Sequence, residues 1–432
     1  MKPLHVAVVG GGWAGMAAAV TASQAGHRVT VFEATRTWGG RARALPATLA
    51  DGSKLLLDNG QHILIGAYTD TLALMRAVGV DPQRALLRLP LCLLFPDGQG
   101  LRLPDWPVPL DILGGIVRAG GWSWADKWSL LRTTGGWQRG GFRCAAHTTV
   151  SDLCQSLSPT VMRTLIEPLC VSALNTPAQR SSGQVFLRVL KDSLMGGKGS
   201  SNLLIPRTDL SALFPDAAAT WLQQRGADLR LGRRIERIEQ GPQWLLDGEA
   251  FDAVIWATSP SVACQVLGRA DSSAALQAWA AQAAALQHEG IATVYLQAGT
   301  TRLPQPLLAL HSSPQHPAQF VFDRGHLGGP QGLLAFVVSA SSDERTALQD
   351  KVLHQARSQM GGLLQGAPPE LVQTVLEKRA TFACTPGLQR PPQNVAPGLQ
   401  ACGDYVDGPY PATLEGAVQS GMAAARALGA KG

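Results

Sequence analysis

The sequence predicts an α/β fold, a largely parallel sheet flanked by helices, carrying a second and discontinuous α+β domain. Three observations point there. The chain opens on a strand-helix-strand pattern (6–9, 16–24, 28–32) whose strands are apolar and mostly β-branched, as suits strands buried on both faces. Further strand-like runs lie far away, at 228–231, 251–257 and 399–402, the second of them strongly apolar, so the sheet is expected to collect strands from separated parts of the chain. A length of 432 residues with 45% hydrophobic content is enough for two cores.

The opening unit has the pattern of a Rossmann-like nucleotide-binding turn. Its first strand runs into Gly10-Gly11-Gly12-Trp13-Ala14-Gly15, which fits G-x-G-x-x-G. Gly10 permits the tight turn, Gly12 lets the backbone approach a pyrophosphate, and Gly15 lets the next helix pack close to the sheet. With Trp13 and Ala14 these are the expected phosphate-binding set, because the helix aims its free N–H groups and positive dipole end at the ligand. The second strand ends on Glu33, 18 residues beyond Gly15. At about that spacing an acid accepts hydrogen bonds from ribose hydroxyls, and its charge repels a 2′-phosphate.

The unit continues with Arg36-Thr37-Trp38-Gly39-Gly40-Arg41. Gly39 and Gly40 suit a backbone passing close to a diphosphate, and the Arg41 guanidinium would neutralise it. This E-A-x-x-x-x-G-G-R arrangement resembles the FAD-binding opening of the amine oxidase, phytoene desaturase and protoporphyrinogen oxidase superfamily. The resemblance implies FAD as cofactor and a Rossmann-like FAD-binding domain of the amine oxidase/desaturase type.

Composition narrows the partners. A formal net charge of +6 is modest for this length and the basic residues are scattered, so nucleic acid is not an expected partner, while an anionic membrane surface stays open. Seven dispersed cysteines without a C-x-x-C pair point to a reducing compartment rather than a disulfide framework or zinc site, hence a cytoplasmic protein. Residues 6–26 carry no charge, yet the glycine fingerprint interrupts them where a phosphate loop requires it, so neither a signal peptide nor a membrane span is expected.

Further along, a strand at 54–58 leads into Asn59-Gly60-Gln61-His62 and an amphipathic helix near 68–78. In the superfamily this segment brings backbone against the isoalloxazine ring. The run D-N-G-Q-H resembles one branch more closely, the FAD-dependent hydroxysqualene dehydroxylases of bacterial hopanoid synthesis. Asn59 and Gly60 would then face the flavin, with Gln61 and His62 the first polar side chains over it. A hydrogen-bonded structural turn is the alternative role for Gln61 and His62.

Residues 104–143 hold Trp106, Trp122, Trp124, Trp128 and Trp137 among apolar and basic side chains. Two readings stand: a surface touching the membrane, since indole prefers the headgroup boundary, or the core of a helical substrate domain. Residues 151–194 read as helical and apolar, punctuated by Pro159 and Pro177, and 195–199 as a glycine-rich joint. Within the former, E-P-L-C-V-S-A-L-N-T-P (167–177) resembles the dehydroxylase segment. Then come a helix ending near 225, strands at 228–231 and 234–238, and a buried strand at 251–257; by resemblance the backbone at Ile235 meets the adenine. From 261 to 380 the pattern gives an alanine-rich helix (272–287), strands at 291–297 and 333–338, a helix at 342–364 and a strand-like run at 371–379. His311, His316 and His326 lack metal-ligand spacing and read as loop residues.

The chain closes on L-Q-A-C-G-D, then A-T-L-E-G-A-V-Q-S-G and an alanine-rich helix. In the superfamily such a pattern covers the ribityl chain and flavin pyrimidine. Gly403 and Asp404 would meet the ribityl or pyrophosphate portion, and backbone near Thr413 and Leu414 the flavin O2, where a helix N-terminus stabilises the charge of reduced flavin.

These resemblances imply a FAD-binding domain from 1–65, 200–260 and 385–432, with a substrate domain from 66–199 and 261–384. They imply reductive removal of the hydroxyl of hydroxysqualene to give squalene. The expected partners are this long isoprenoid alcohol, peripheral contact with the cytoplasmic membrane and association with upstream squalene-pathway enzymes. A carotenoid-type desaturase or saturase is the alternative enzyme, and a flavin-bound scaffold the non-catalytic one. Dehydroxylation needs an acid, because hydroxide is a poor leaving group. Of the expected catalytic side chains His62, Gln61 and Tyr410, His62 alone titrates near neutrality unaided, Gln61 orients, and Tyr410 would need a strongly lowered pKa.

Overall fold

The computed structural model describes residues 2–269, 272–366 and 368–428. Its central sheet has six strands in the order Asp228–Leu231, Arg28–Glu33, His5–Val9, Ala253–Trp256, Leu399–Ala401 and Asn394–Ala396, parallel except for the last pairing. His5–Val9 is central because Val6, Ala7 and Val8 have no exposed surface. Its neighbours run away on either side, so the carboxyl ends of His5–Val9, Arg28–Glu33 and Ala253–Trp256 open a crevice of the kind that holds dinucleotides.

Close helix packing fixes that crevice. The helix Trp13–Gln24 lies so near the sheet that a Cβ on Gly15 would stand 1.9 Å from the Gly10 carbonyl oxygen. The closing helix Leu414–Ala427 packs on the same helix, and a Cβ on Gly421 would stand 2.1 Å from the Ala14 carbonyl oxygen. A hydrophobic cluster of alanines and valines fills the space between them, including Ala17, Ala18, Val20, Ala424 and Ala425.

Opposite the crevice stands an antiparallel five-stranded sheet in the order Leu307–Ala309, Phe320–Asp323, Leu333–Ser339, His288–Gln297 and Glu370–Phe382, with helix Arg345–Met360 packed against it. A small sheet of Leu64–Ile65, Leu203–Pro206 and Leu86–Leu89 joins the regions.

Several elements differ from the sequence expectation. Residues 233–237 are an extended loop, not a strand; Gly232 has φ +69° and turns the chain so that Arg233 N–H bonds the Glu33 carbonyl, and pairing resumes only at Ile238–Gln240. The helical run 151–194 is broken into short pieces. A π-helical turn, Met162–Ile166, lies just before Pro168, and Asn175 ends Glu167–Leu174 in the left-handed conformation. The alanine-rich helix stops at Ala284, three residues short of its expected end, and the next strand, His288–Gln297, begins three residues before its expected start. The five tryptophans divide: Trp122 and Trp137 are buried, whereas Trp106, Trp124 and Trp128 are exposed.

Candidate active site

One cavity of about 610 Å³ runs from the crevice of the parallel sheet to the face of the five-stranded sheet. It brings together Gly10, Gly12, Trp13, Ala14, Glu33, Gly39, Gly40, Arg41, Asn59, Gly60, Gln61, His62, Ile235, Gly403, Asp404, Tyr410, Thr413 and Leu414. Of the residues expected from the sequence only Gly15 is outside the lining; it acts one layer back, where a side chain would push the helix off the sheet.

At the crevice end, Gly12 caps helix Trp13–Gln24 with no side-chain hydrogen bond, leaving the first-turn N–H groups directed at the cavity. A Cβ on Gly12 would meet only the Gly40 Cα, at 3.8 Å, so the two glycine backbones form the sides of an open cradle. Glu33 is buried. Its Oε2 accepts from Gly11 N–H (2.8 Å), and Oε1 accepts from the Thr35 N–H and hydroxyl (2.8 and 2.9 Å). A carboxylate has about four acceptor positions, so Oε2 keeps one for a ribose hydroxyl. The Trp13 indole is turned away to the Ala42 carbonyl, leaving its backbone to the cradle.

Arg41 does something the sequence did not suggest. Its guanidinium pairs with Asp404 at 2.5 Å and also donates to the Ala380 carbonyl, so its charge is shared with a carboxylate rather than standing free for a diphosphate. Beyond Asp404, Thr413 caps the closing helix by accepting from Gly416 N–H. The next residue but one, Glu415, is fully buried and accepts from the Asp70 and Thr71 N–H groups and from Gln419, tying that helix to the start of Thr69–Ala77.

The turn 59–62 is held on all sides. Asn59 donates to the Arg41 carbonyl (2.8 Å), and His62 Nδ1 lies 2.9 Å from the Gly60 carbonyl oxygen. That carbonyl can only accept, so Nδ1 carries the hydrogen. Burial pushes the imidazole below its ordinary pKa, with Arg41 adding to the effect and the Gly60 bond opposing it. The shift favours the neutral imidazole, and with Nδ1–H on the Gly60 carbonyl its Nε2 is then an acceptor. Gln61 Oε1 accepts from Arg324 (3.1 Å), a buried cation at the end of the five-stranded sheet. Arg324 is also 3.6 Å from Asp58 Oδ2, which has no hydrogen-bond partner; burial outweighs this long ion pair and raises the Asp58 carboxyl to about 6.

The far half of the cavity is apolar, walled by Leu169, Val171, Phe186, Leu190, Phe320 and Val375. At its edge lie Tyr410 and Asp192, the latter on helix Gly183–Met195, with Arg188 one turn earlier 3.6 Å from Asp192 and 5.9 Å from the centre of the Tyr410 ring. Asp192 and Arg324 are the polar residues that sequence reasoning missed. Neither sits in a motif: one lies on an amphipathic helix and the other follows an ordinary buried strand. Among the described residues no group of His, Cys, Asp and Glu is arranged to hold a metal.

An uncapped helix N-terminus, an open glycine cradle, a buried acid with a spare acceptor position, and a second helix start at Thr413 make a site whose donors and shape fit FAD. The comparisons agree. Residues 13–429 match the family described as flavin containing amine oxidoreductase. The chain is 27% identical to a hydroxysqualene dehydroxylase of Sinorhizobium fredii, covering 98% of both chains. It is 28% identical to one of Rhodopseudomonas palustris over 98% of this chain and 97% of that one. A carotenoid phi-ring synthase of Streptomyces griseus is 40% identical over only 26% of this chain and 22% of that one. Among solved structures, an oxidoreductase from Methanosarcina mazei superposes with a TM-score of 0.70 at 16% identity, covering 97% of this chain and 99% of that one. Cyclohexylamine oxidase from Brevibacterium oxydans gives 0.68 at 16%, covering 99% of each.

Proposed function

The chain belongs to the flavin containing amine oxidoreductase family, and from that premise we propose that it is an FAD-dependent dehydroxylase converting hydroxysqualene to squalene. The observation that carries this reading is the end-to-end correspondence with hydroxysqualene dehydroxylases, whereas the match to a carotenoid enzyme stops after a quarter of the chain. The experiment that tests it is anaerobic incubation of the reduced holoprotein with hydroxysqualene, followed by product analysis.

The division of labour follows from the residues. The Gly10–Gly12 turn and the start of helix Trp13–Gln24 hold the diphosphate, Glu33 the ribose, and the start of Leu414–Ala427 the pyrimidine end of the ring. The FAD domain comprises 1–65, 200–260 and 385–432 and the substrate domain 66–199 and 261–384. In support, the six-stranded and five-stranded sheets fall separately into these segments; residues 429–432 lie outside the described residues. Reduced FAD, when bound, supplies a hydride. The apolar walls hold the isoprenoid and exclude water, so that an electron-deficient allylic carbon formed there meets hydride before solvent.

Contact with the membrane belongs to the same reading. Leu110, Leu113 and Val117 of helix Leu110–Arg118 are exposed together with Trp106, Trp124 and Trp128, the last two at 74% and 69%. Arg118 and Lys127 lie over the Trp106 and Trp124 rings at 4.6 and 5.0 Å. Apolar rings beside cations match an interface of acyl chain and anionic headgroup. No helix among the described residues is long and apolar enough to cross a membrane, so the contact is peripheral. Association with the enzymes that supply the substrate follows from a shared membrane.

A further inference from the structure

We infer that Tyr410, oriented by Asp192 and Arg188, delivers the proton that lets the substrate hydroxyl leave as water. The inference rests on the dehydroxylase reading above. The geometry has three parts. Tyr410 and Asp192 both line the cavity where its apolar half begins, and the Asp192 charge acts on the Tyr410 phenol. Arg188 Nε lies 3.6 Å from Asp192 Oδ2, and its guanidinium carbon is 5.9 Å from the centre of the Tyr410 ring. The Tyr410 carbonyl accepts from the Thr413 hydroxyl at 3.0 Å, which ties the phenol to the helix start assigned to the pyrimidine end of the flavin.

The chemistry balances. The carbon–oxygen bond breaks with both electrons going to oxygen, the phenol proton passes to that oxygen to make water, and the electron-deficient carbon takes the hydride from reduced FAD. Throughout the transfer Asp192 keeps Arg188 as its partner and is not left an unpaired anion. The phenolate formed is near the Arg188 cation and recovers its proton from solvent, because Tyr410 is only half-buried. Burial and Asp192 push the phenol up to about 12, with Arg188 opposing and Glu415 adding from the closing helix; the Tyr68 phenol is the other titratable group beside it. The phenol is thus a weaker acid than the strongly lowered one expected from the sequence, and it acts as a donor that is always protonated. Tyr410 holds its proton throughout the neutral range, and it remains a stronger acid than water, at about 15.7. His62, in its neutral form with Nδ1–H committed to Gly60, offers no such proton.

The test compares wild type, Tyr410→Phe and Asp192→Asn, each purified with FAD bound, by two readouts. In reduced single turnover, Tyr410→Phe should be slower by on the order of 10²–10⁴. Asp192→Asn should be slowed less and should change the pH profile of the step. In the oxidised proteins, the flavin absorbance change on titration gives affinity for a long isoprenoid alcohol and for squalene without turnover. Wild type should prefer the alcohol, and Tyr410→Phe should lose that preference while binding squalene unchanged. Both readouts unaltered in Tyr410→Phe would overturn the inference. Wild type that fails to turn over hydroxysqualene yet shows the Tyr410-dependent preference would instead overturn the dehydroxylase reading.

Discussion

Arg41 and Asp404 stand 363 residues apart in the chain and meet at 2.5 Å across the cavity, joining the first cofactor motif to the last. The guanidinium is forked: one nitrogen holds Asp404, the other the Ala380 carbonyl. A lysine ammonium cannot reproduce that planar pair. Arg41→Lys should therefore weaken FAD binding about 10- to 100-fold, the equivalent of losing one or two hydrogen bonds to a charged group. Flavin titration of the apoprotein measures this; undiminished affinity would mean that the pair only closes the fold.

Glu33 lies at the opposite end of the cradle from the turn 59–62, so its contribution is uniform binding. Glu33→Ala should raise the FAD dissociation constant and leave the single-turnover rate of the FAD-saturated mutant near wild type. Loss of most of that rate at saturation would remove Glu33 from the ribose role.

Asp58 gives a signed pH effect. Its folded carboxyl titrates at about 6, above the ordinary value near 3.9, so the folded state binds the proton more tightly. The stability this contributes is complete below about pH 4 and is lost as pH rises through 6, by about 3 kcal/mol at most. Asp58→Asn removes that slope. In denaturant melts the stability of wild type relative to Asp58→Asn should be greater at pH 4.5 than at 7.5, and an equal difference at both pH values would contradict the assignment.

Trp124 and Trp128 make the membrane proposal quantitative. Wild type should bind anionic vesicles more than neutral ones and release in salt, each basic side chain near the surface contributing about 1 kcal/mol. Replacing both indoles with serine should abolish binding while FAD content is unchanged. Equal partition onto neutral and anionic vesicles, or none onto either, would exclude the surface.

What could be read from sequence was what is local. The glycine turn, the acid 18 residues on and the closing G-D and A-T-L-E-G-A runs are contiguous patterns whose geometry is fixed by backbone sterics, and the cavity gathers them. The five tryptophans carried equal weight in the sequence because exposure depends on which face of each helix meets the core; the fold buries Trp122 and Trp137 and leaves the others out. Tertiary partners were invisible for the same reason. Nothing near Arg41 announces Asp404, nothing near Gln61 announces Arg324, and the lowered pKa of His62 follows from burial and the Arg41 charge, not from its own residue type.

The central claim is tested most directly by mixing the FAD-loaded protein, reduced anaerobically and free of excess reductant, with hydroxysqualene. Reaction should give one squalene per flavin reoxidised, and FAD deuterated at the transferable hydride position should place one deuterium on the carbon that lost oxygen. Reoxidation without squalene, or a desaturated product in place of squalene, would contradict the account.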